Sequence, residues 1–429
     1  MNSIINSIYE KYNQSNGISI DSRNLKEGNL FFGISGDNFD GNNFIEESLS
    51  NGASFAVTNN KKFKTKDKCV YVENTLECLQ NLATFHRSKL QIPVVGVTGS
   101  NGKTTTKELI SLVLSLKFNV FSTNGNFNNH IGVPLSVLEL NDSHDIAVIE
   151  MGASGLGEIA FLCEISQPNL GIITNIAPVH LEGFGNFESV IRGKSELFDY
   201  LIKNDGIAFI NNNDKVISNF SKRFEKPYLL FGESSFLNCE YLKADPFISF
   251  LLKENEIFKT KIIGDYNYEN IISALSIGKY YGVDTKIAAE AICSYKPSEN
   301  RSQVIEKKNC TIILDAYNAN PTSVIKALNN FSNIKGKKIV FLGDMFELGK
   351  ESKSEHAKLG DILNDFNFDE VYLIGDEIKY AFKNYPPAKY FKNKNEVFKI
   401  IKTLNFENST ILFKASRGMQ LENIAKEID

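Results

Sequence analysis

The segment GVTGSNGKTTT at residues 96–106 constrains this chain more than any other. A short apolar run, PVVGVTG (93–99), ends in glycine. Lys103-Thr104 then open KTTTKELISLVLSL (103–116), which places Leu109, Leu112, Val113 and Leu116 on one helical face. A strand, a Gly-rich turn and a helix in direct succession belong in a sheet covered by helices. Gly99 and Gly102 allow backbone angles that other residues avoid. Successive N–H groups can then converge on phosphate oxygens at a helix N-terminus carrying partial positive charge. Thr98, Gly99, Ser100, Asn101, Gly102, Lys103, Thr104 and Thr105 are the candidate triphosphate-binding residues. Lys103 would reach the terminal phosphates and the Thr104 hydroxyl would bind Mg²⁺. The common spacing G-x-x-x-x-G-K-[ST] needs glycine at 97, where the chain has Val97. The alternative is a Gly-rich turn that only caps a helix, and the joint occurrence of strand, glycines, Lys-Thr and helix argues against it.

The same alternation continues on either side. DIAVIEMG (145–152) and NLGIITNI (169–176) read as buried strands, and LGEIAFLCEI (156–165) and FESVIRGKSELFDYLI (187–202) as helices. Strands alternating with helices predict a parallel sheet covered on both faces. After about residue 298 the pattern restarts with CTIILDAY (310–317), KKIVFLGD (337–344), EVYLIG (370–375) and STILFKAS (409–416). The helix PTSVIKALNNF (321–331) has proline at its start, a position proline favours. Before about residue 90, the short runs NLFFGI (29–34) and SFAVTN (54–59) suggest a smaller unit. A chain of 429 residues exceeds the roughly 250–300 at which single cores stop growing. The expected architecture is α/β in three domains: a small N-terminal α/β domain (1–90), a central P-loop-type parallel sheet (91–298) and a C-terminal Rossmann-like domain (299–429).

Composition narrows the function. A formal net charge of −4 does not suit a general nucleic-acid or membrane-surface role. The cysteines Cys69, Cys78, Cys163, Cys239, Cys293 and Cys310 form no CxxC pair, so a zinc knuckle or redox dithiol has no support. The N-terminus lacks the pattern of a signal peptide. No apolar run approaches the ~20 residues of a membrane span. A cytoplasmic, monomeric protein is expected.

Phosphoryl transfer calls for a hard cation and oxygen ligands. Glu150 ends an apolar strand, at the carboxyl edge where open α/β sheets bind ligands. A solvated glutamate at a strand end is the alternative. His180 follows the next strand and falls on the same edge if the sheet is parallel; a structural or surface histidine remains an equal reading. From pattern alone, Lys194 is a surface lysine of a helix.

The loop TGSNGKTTT, with EMGAS (150–154), TNIAPVHLEGFG (174–185) and GKSELF (193–198) in that order, resembles the Mur ligases of peptidoglycan synthesis. The likeness runs from DSR (21–23) to SRGM (416–419). NFNNHIGVPL (126–135), DAYNANP (315–321) and LGDMFELG (342–349) resemble the member that adds D-alanyl-D-alanine to UDP-N-acetylmuramoyl-tripeptide. Ala316 departs from the pattern, an acidic residue often standing there in the family. The resemblance implies an ATP-dependent amide ligase working through an acyl phosphate. It implies ATP held by the loop, Asn267, Asn270, Arg301 and Asp315. Two Mg²⁺ ions are implied, on Thr104, Glu150, His180 and a carbamylated Lys194, with Lys103, Glu150, His180 and Lys194 as the catalytic set. Asp21, Ser22, Arg23, Asn38, Phe39, Asp40, Gly41, Asn128 and Asn129 would hold the UDP-substrate. Tyr317, Asn318, Asn320, Ser416 and Arg417 would lie near the incoming dipeptide. A different Mur ligase, a folylpolyglutamate synthase, or a nucleotide-dependent switch without ligation are the competing readings.

Overall fold

Along the strand Ile146–Glu150, Ala147 and Ile149 pack into one apolar cluster, while Ile146 and Val148 pack into another. Alternate side chains of a strand point to opposite faces, so this sheet is buried on both sides. The structure, a computed structural model, describes residues 2–36, 39–225, 228–232, 236–252 and 256–428. Its central sheet has six strands in the order Tyr228–Phe231, Ile207–Asn211, Leu170–Ile173, Val94–Thr98, Ile146–Glu150, Val120–Ser122. All neighbours are parallel. Their carboxyl ends therefore share one edge.

The helix after the glycines spans Lys103–Leu114 and buries Leu109, Ile110, Val113 and Leu114. This corrects the face read from the sequence. The helix stops before Leu116, which is 43% exposed, and a partner helix lies along it from Gly102 to Val113. That partner is the helix Tyr268–Tyr280, whose Gly278 sits so close that a Cβ there would fall 2.2 Å from Val113 Cγ1.

The C-terminal sheet also has six strands, in the order Gln303–Glu306, Cys310–Asp315, Ser409–Lys414, Lys337–Gly343, Glu370–Ile374, Lys389–Phe391. Only the first, at the edge, runs antiparallel to its neighbour among these pairs. Leu342 and Leu412 face one cluster, and Phe341 and Phe413 the other. Ala316 is fully buried in the second cluster. The small N-terminal sheet is parallel, in the order Ile18–Ser19, Leu30–Phe32, Phe55–Thr58, Cys69–Tyr71. Its Leu30, Phe32 and Val57 share a cluster with Ala147 and Ile149, so these two units have a continuous core. Buried Arg87 adds a polar tie, donating to the carbonyls of Leu90, Ile92, Ser166 and Gln167.

A three-stranded antiparallel sheet, Cys239–Ala244, Phe247–Leu252 and Glu256–Ile263, was not legible in the sequence. It buries Ile248, Phe250 and Phe258 against the helix side of the central sheet and delivers the chain to Tyr268–Tyr280.

Candidate active site

The turn between Thr98 and Lys103 owes its shape to two glycines. Gly99 has φ 145° and Gly102 φ 78°. A Cβ at Gly99 would lie 2.0 Å from Thr174 Oγ1, and one at Gly102 would lie 2.7 Å from Asn270 Oδ1. The segment 174–177 clamps the turn from outside. The Ser100 N–H donates to the Asn175 carbonyl (2.9 Å) and the Asn101 N–H to Asn175 Oδ1 (3.0 Å). Thr174 Oγ1 donates to the Asn101 carbonyl (2.6 Å). No side chain caps the helix that follows. Its first N–H groups, which have no intrahelical partner, remain available.

Lys103 curls back over the turn, its ammonium 2.8 Å from the Gly99 carbonyl and 3.2 Å from that of Ser100. Desolvation lowers its pKa; Glu150 opposes this and Arg301 adds to it. Arg301 belongs to the C-terminal unit, so the two cations share one field across the interface. Thr104 lines the cleft with its first-turn neighbours. Thr98 does not; it is fully buried and its hydroxyl donates to the Met151 carbonyl (2.8 Å).

Glu150 closes its strand at 1% exposure. Its Oε1 accepts from Asn128 Nδ2 (2.7 Å), while Oε2 is buried with no hydrogen-bond partner. Asn128 thus rests on Glu150, and Asn129 beside it lines the same cleft. His180 is also a cleft residue, in the left-handed region (φ 50°). That conformation costs roughly 1–2 kcal/mol for a non-glycine residue. Its Nδ1 is paired with the carboxylate of Glu347, from the C-terminal unit. Hydrogen bonding from His180 holds the Glu347 carboxyl below its usual range.

The surface reading of Lys194 is overturned. The side chain is fully buried on the inner face of Phe187–Lys203. Its amine donates to the Ala153 carbonyl (2.9 Å) and sits 5.2 Å from the centre of the Phe184 ring. Burial, and then the charge of Lys103, push its pKa well below that of an ordinary lysine. It stands behind Ala153, which itself lines the cleft.

The cleft holds ≈ 500 Å³ and is closed on its far side by Arg301, Asp315, Tyr317 and Asn318. The Arg301 guanidinium lies 3.5 Å from the centre of the Tyr317 ring, and that of Arg417 lies 5.5 Å away on the same ring. Asn320 donates to Asn101 Oδ1 (2.7 Å). Ser416 is 2% exposed and its hydroxyl accepts from the Phe346 N–H, so it braces that loop. Asn267 and Asn270 border the cleft, but their side chains are largely engaged. Asn270 accepts from Thr106 Oγ1 (3.0 Å) and donates to Asn267 Oδ1 (2.7 Å), bracketing the turn to Tyr268–Tyr280.

Asp21, Ser22, Arg23, Phe39, Asp40 and Gly41 are not brought to this cleft. Arg23 forks onto Asp21 (2.9 and 2.8 Å), Asp40 accepts from Ser35 and Asn42, and Phe39 stacks on Phe44. Gly41 packs where a Cβ would meet the Ile34 carbonyl at 2.6 Å. Asn38 lies outside the described residues. Sequence reasoning missed Asn175 and Lys414. A lysine ending the apolar strand STILFK was the available signal for the second.

Three family models cover most of the chain. Residues 14–92 match "Mur ligase family, catalytic domain", 97–278 "Mur ligase middle domain", and 300–417 "Mur ligase, glutamate ligase domain". The chain belongs to the Mur ligase family. This Mur ligase is 33% identical over 425 residues to the UDP-N-acetylmuramoyl-tripeptide–D-alanyl-D-alanine ligase of Bacillus subtilis, covering 96% of this chain and 93% of that one. The enzyme of the same name from Escherichia coli is 29% identical, with 96% and 93% covered. Among solved structures, the MurF ligase of Thermotoga maritima in complex with ADP superposes with a TM-score of 0.84 at 30% identity, covering 97% of each chain. MurF from Acinetobacter baumannii gives 0.86 at 29% identity, covering 96% of this chain and 92% of that one. No described helix of the Mur ligase is long and apolar enough to cross a membrane.

Proposed function

We propose that this Mur ligase joins D-alanyl-D-alanine to UDP-N-acetylmuramoyl-tripeptide with cleavage of ATP, in peptidoglycan precursor synthesis. One observation carries the reading. The uncapped end of Lys103–Leu114 lies beside a desolvated lysine and a buried carboxylate with one oxygen unpartnered. Such an arrangement suits a polyphosphate with a hard cation. The curated relatives bear this ligase name across nearly the whole chain.

A carboxylate does not acylate an amine at neutral pH, because oxide is a poor leaving group. A stem carboxylate oxygen attacks the γ-phosphorus, the bond to the β-phosphate oxygen breaks, and ADP departs. The dipeptide amine then attacks the acyl carbon, phosphate leaves, and the nitrogen loses its proton. The loop N–H groups and Lys103 neutralise the charge that moves between phosphates, with Arg301 adding a second cation from across the interface. Closure by the C-terminal unit keeps water from the acyl phosphate.

Glu150 and Thr104 fit a Mg²⁺ ion, since hard cations take oxygen ligands. That ion would offset phosphate charge. His180 and Lys194 would serve a second one. An ammonium cannot ligate a cation, but a neutral buried amine can take up carbon dioxide and become an oxygen-donor carbamate. The lowered pKa of Lys194 supports that modification.

The test is ADP release from purified protein. It is expected to require both UDP-N-acetylmuramoyl-tripeptide and D-alanyl-D-alanine, and Lys103→Ala abolishes it. Equal turnover without the dipeptide overturns the reading.

A further inference from the structure

The strands Cys310–Asp315 and Ser409–Lys414 run parallel, with Asp315 and Lys414 as register partners at their last positions. Both side chains therefore emerge at the carboxyl edge that faces the phosphate loop. Lys414 is among the cleft residues, yet its side chain is only 4% exposed. A lysine so placed needs polar partners for its donors. An ammonium has three donors. One lies 2.8 Å from Asp315 Oδ2. Another donates to the Asn318 carbonyl at 2.7 Å. Asp315 Oδ1 accepts from the Ser302 N–H at 3.1 Å, next to Arg301. Two residues after Asn318, Asn320 caps the helix Pro321–Ser332 and donates to Asn101 of the phosphate loop.

From this chain of contacts we propose that Lys414 is a positioning residue for the nucleotide site. It fixes the Asp315 carboxylate and the loop 315–320, and through them the contact between the C-terminal unit and the phosphate loop. Lys414 does not act by touching the reacting atoms. It sets where Asp315 points and where Asn320 lands. Both ends of the loop need fixing, because Tyr317 and Asn318 have no strand or helix around them, and Asn318 is exposed. The inference rests on the proposed role of Asp315 at ATP.

Lys414→Met, Asp315→Asn and the double variant test it, with KM measured separately for ATP and for the UDP-linked tripeptide. Lys414→Met is expected to raise the KM for ATP about tenfold, the loss of one charge-assisted hydrogen bond. The KM for the UDP-substrate stays put. Since the single variant leaves the half-buried Asp315 carboxylate without its ion-pair partner, its melting temperature falls, and the double variant recovers part of that fall. The decisive readout is coupling: residues acting as a unit give non-additive effects. The double variant is expected to have a KM for ATP no higher than the worse single variant. Lys414→Arg, which keeps the charge, restores part of the affinity. If Asp315→Asn leaves the KM for ATP unchanged, the nucleotide role of Asp315 fails and this inference with it. If Asp315→Asn raises it and Lys414→Met either does nothing or adds independently, the nucleotide role stands and the positioning role is overturned. A uniform drop in kcat with all KM values unchanged also overturns it, being the mark of lost folded protein.

Discussion

Asn320 and Asn101 meet side chain to side chain, the amide of Asn320 donating to Asn101 Oδ1 at 2.7 Å. The same Asn320 accepts from the Ser323 N–H at 2.9 Å and so caps its own helix. One residue thus joins the C-terminal unit to the phosphate loop and starts the helix that faces it.

The two duties separate by substitution. Asn320→Asp keeps an acceptor for the Ser323 N–H, and aspartate is as good a cap as asparagine. It loses the donor to Asn101. The KM for ATP is expected to rise roughly three- to tenfold, the worth of a net hydrogen bond, with little change in melting temperature. Asn320→Ala loses both contacts and costs a further ~1 kcal/mol of stability. Steady-state kinetics and thermal melts check both; equal melting losses would show that the cap was not preserved.

Lys194 carries a pH signature. Its folded pKa is lowered by burial, so the unfolded state binds more protons between that lowered value and the ordinary lysine value. Stability from this group therefore rises with pH through that window and is poorest below it. Without bicarbonate, Lys194→Met is expected to melt higher than the parent at pH 7, and the gap to close as pH climbs above 9. A gap that widens with pH would contradict the assignment. In activity assays, Lys194→Ala should lose turnover and regain part of it with added short carboxylate.

Glu150→Gln changes charge without changing shape. Oε1 already has Asn128 as donor, and Oε2 is the buried oxygen left without a partner. Magnesium binding, followed by titration in the presence of ADP, is expected to weaken at least tenfold. Turnover should fall about a hundredfold or more, in the range for losing an electrostatic stabiliser. Unchanged magnesium affinity would remove Glu150 from the metal site.

Gly99→Ala tests the turn itself. The added Cβ would overlap Thr174 Oγ1, at a φ of 145°. Relief requires moving the segment that clamps Ser100 and Asn101. ADP binding is expected to be lost, with destabilisation of ~1–3 kcal/mol. Wild-type ADP affinity in this variant would show that the turn tolerates a different path.

Much of the architecture could be read along the chain because it is periodic. Ile146–Glu150 and Lys337–Gly343 fall within two residues of the runs read from the sequence. Phe187–Lys203 follows its helical stripe closely. The antiparallel sheet Cys239–Ala244, Phe247–Leu252 and Glu256–Ile263 was not legible. Exposed residues such as Ile257 (65%) blur the alternation, and its register shifts twice.

The sequence by itself determined that a phosphate-type loop leaves a buried parallel sheet, because glycines, Lys-Thr and flanking periodicities are local properties. It also placed Glu150 at a strand end and His180 in the segment after the next strand. Only the tertiary structure decided what those groups face. Lys194 looked like any helical lysine until packing beneath Ala153 and over Phe184 buried it. Asp315 and Lys414 became partners because two strands distant in the chain lie side by side. Burial and pairing across long sequence separations set charge, pKa and reach, and no local pattern encodes them.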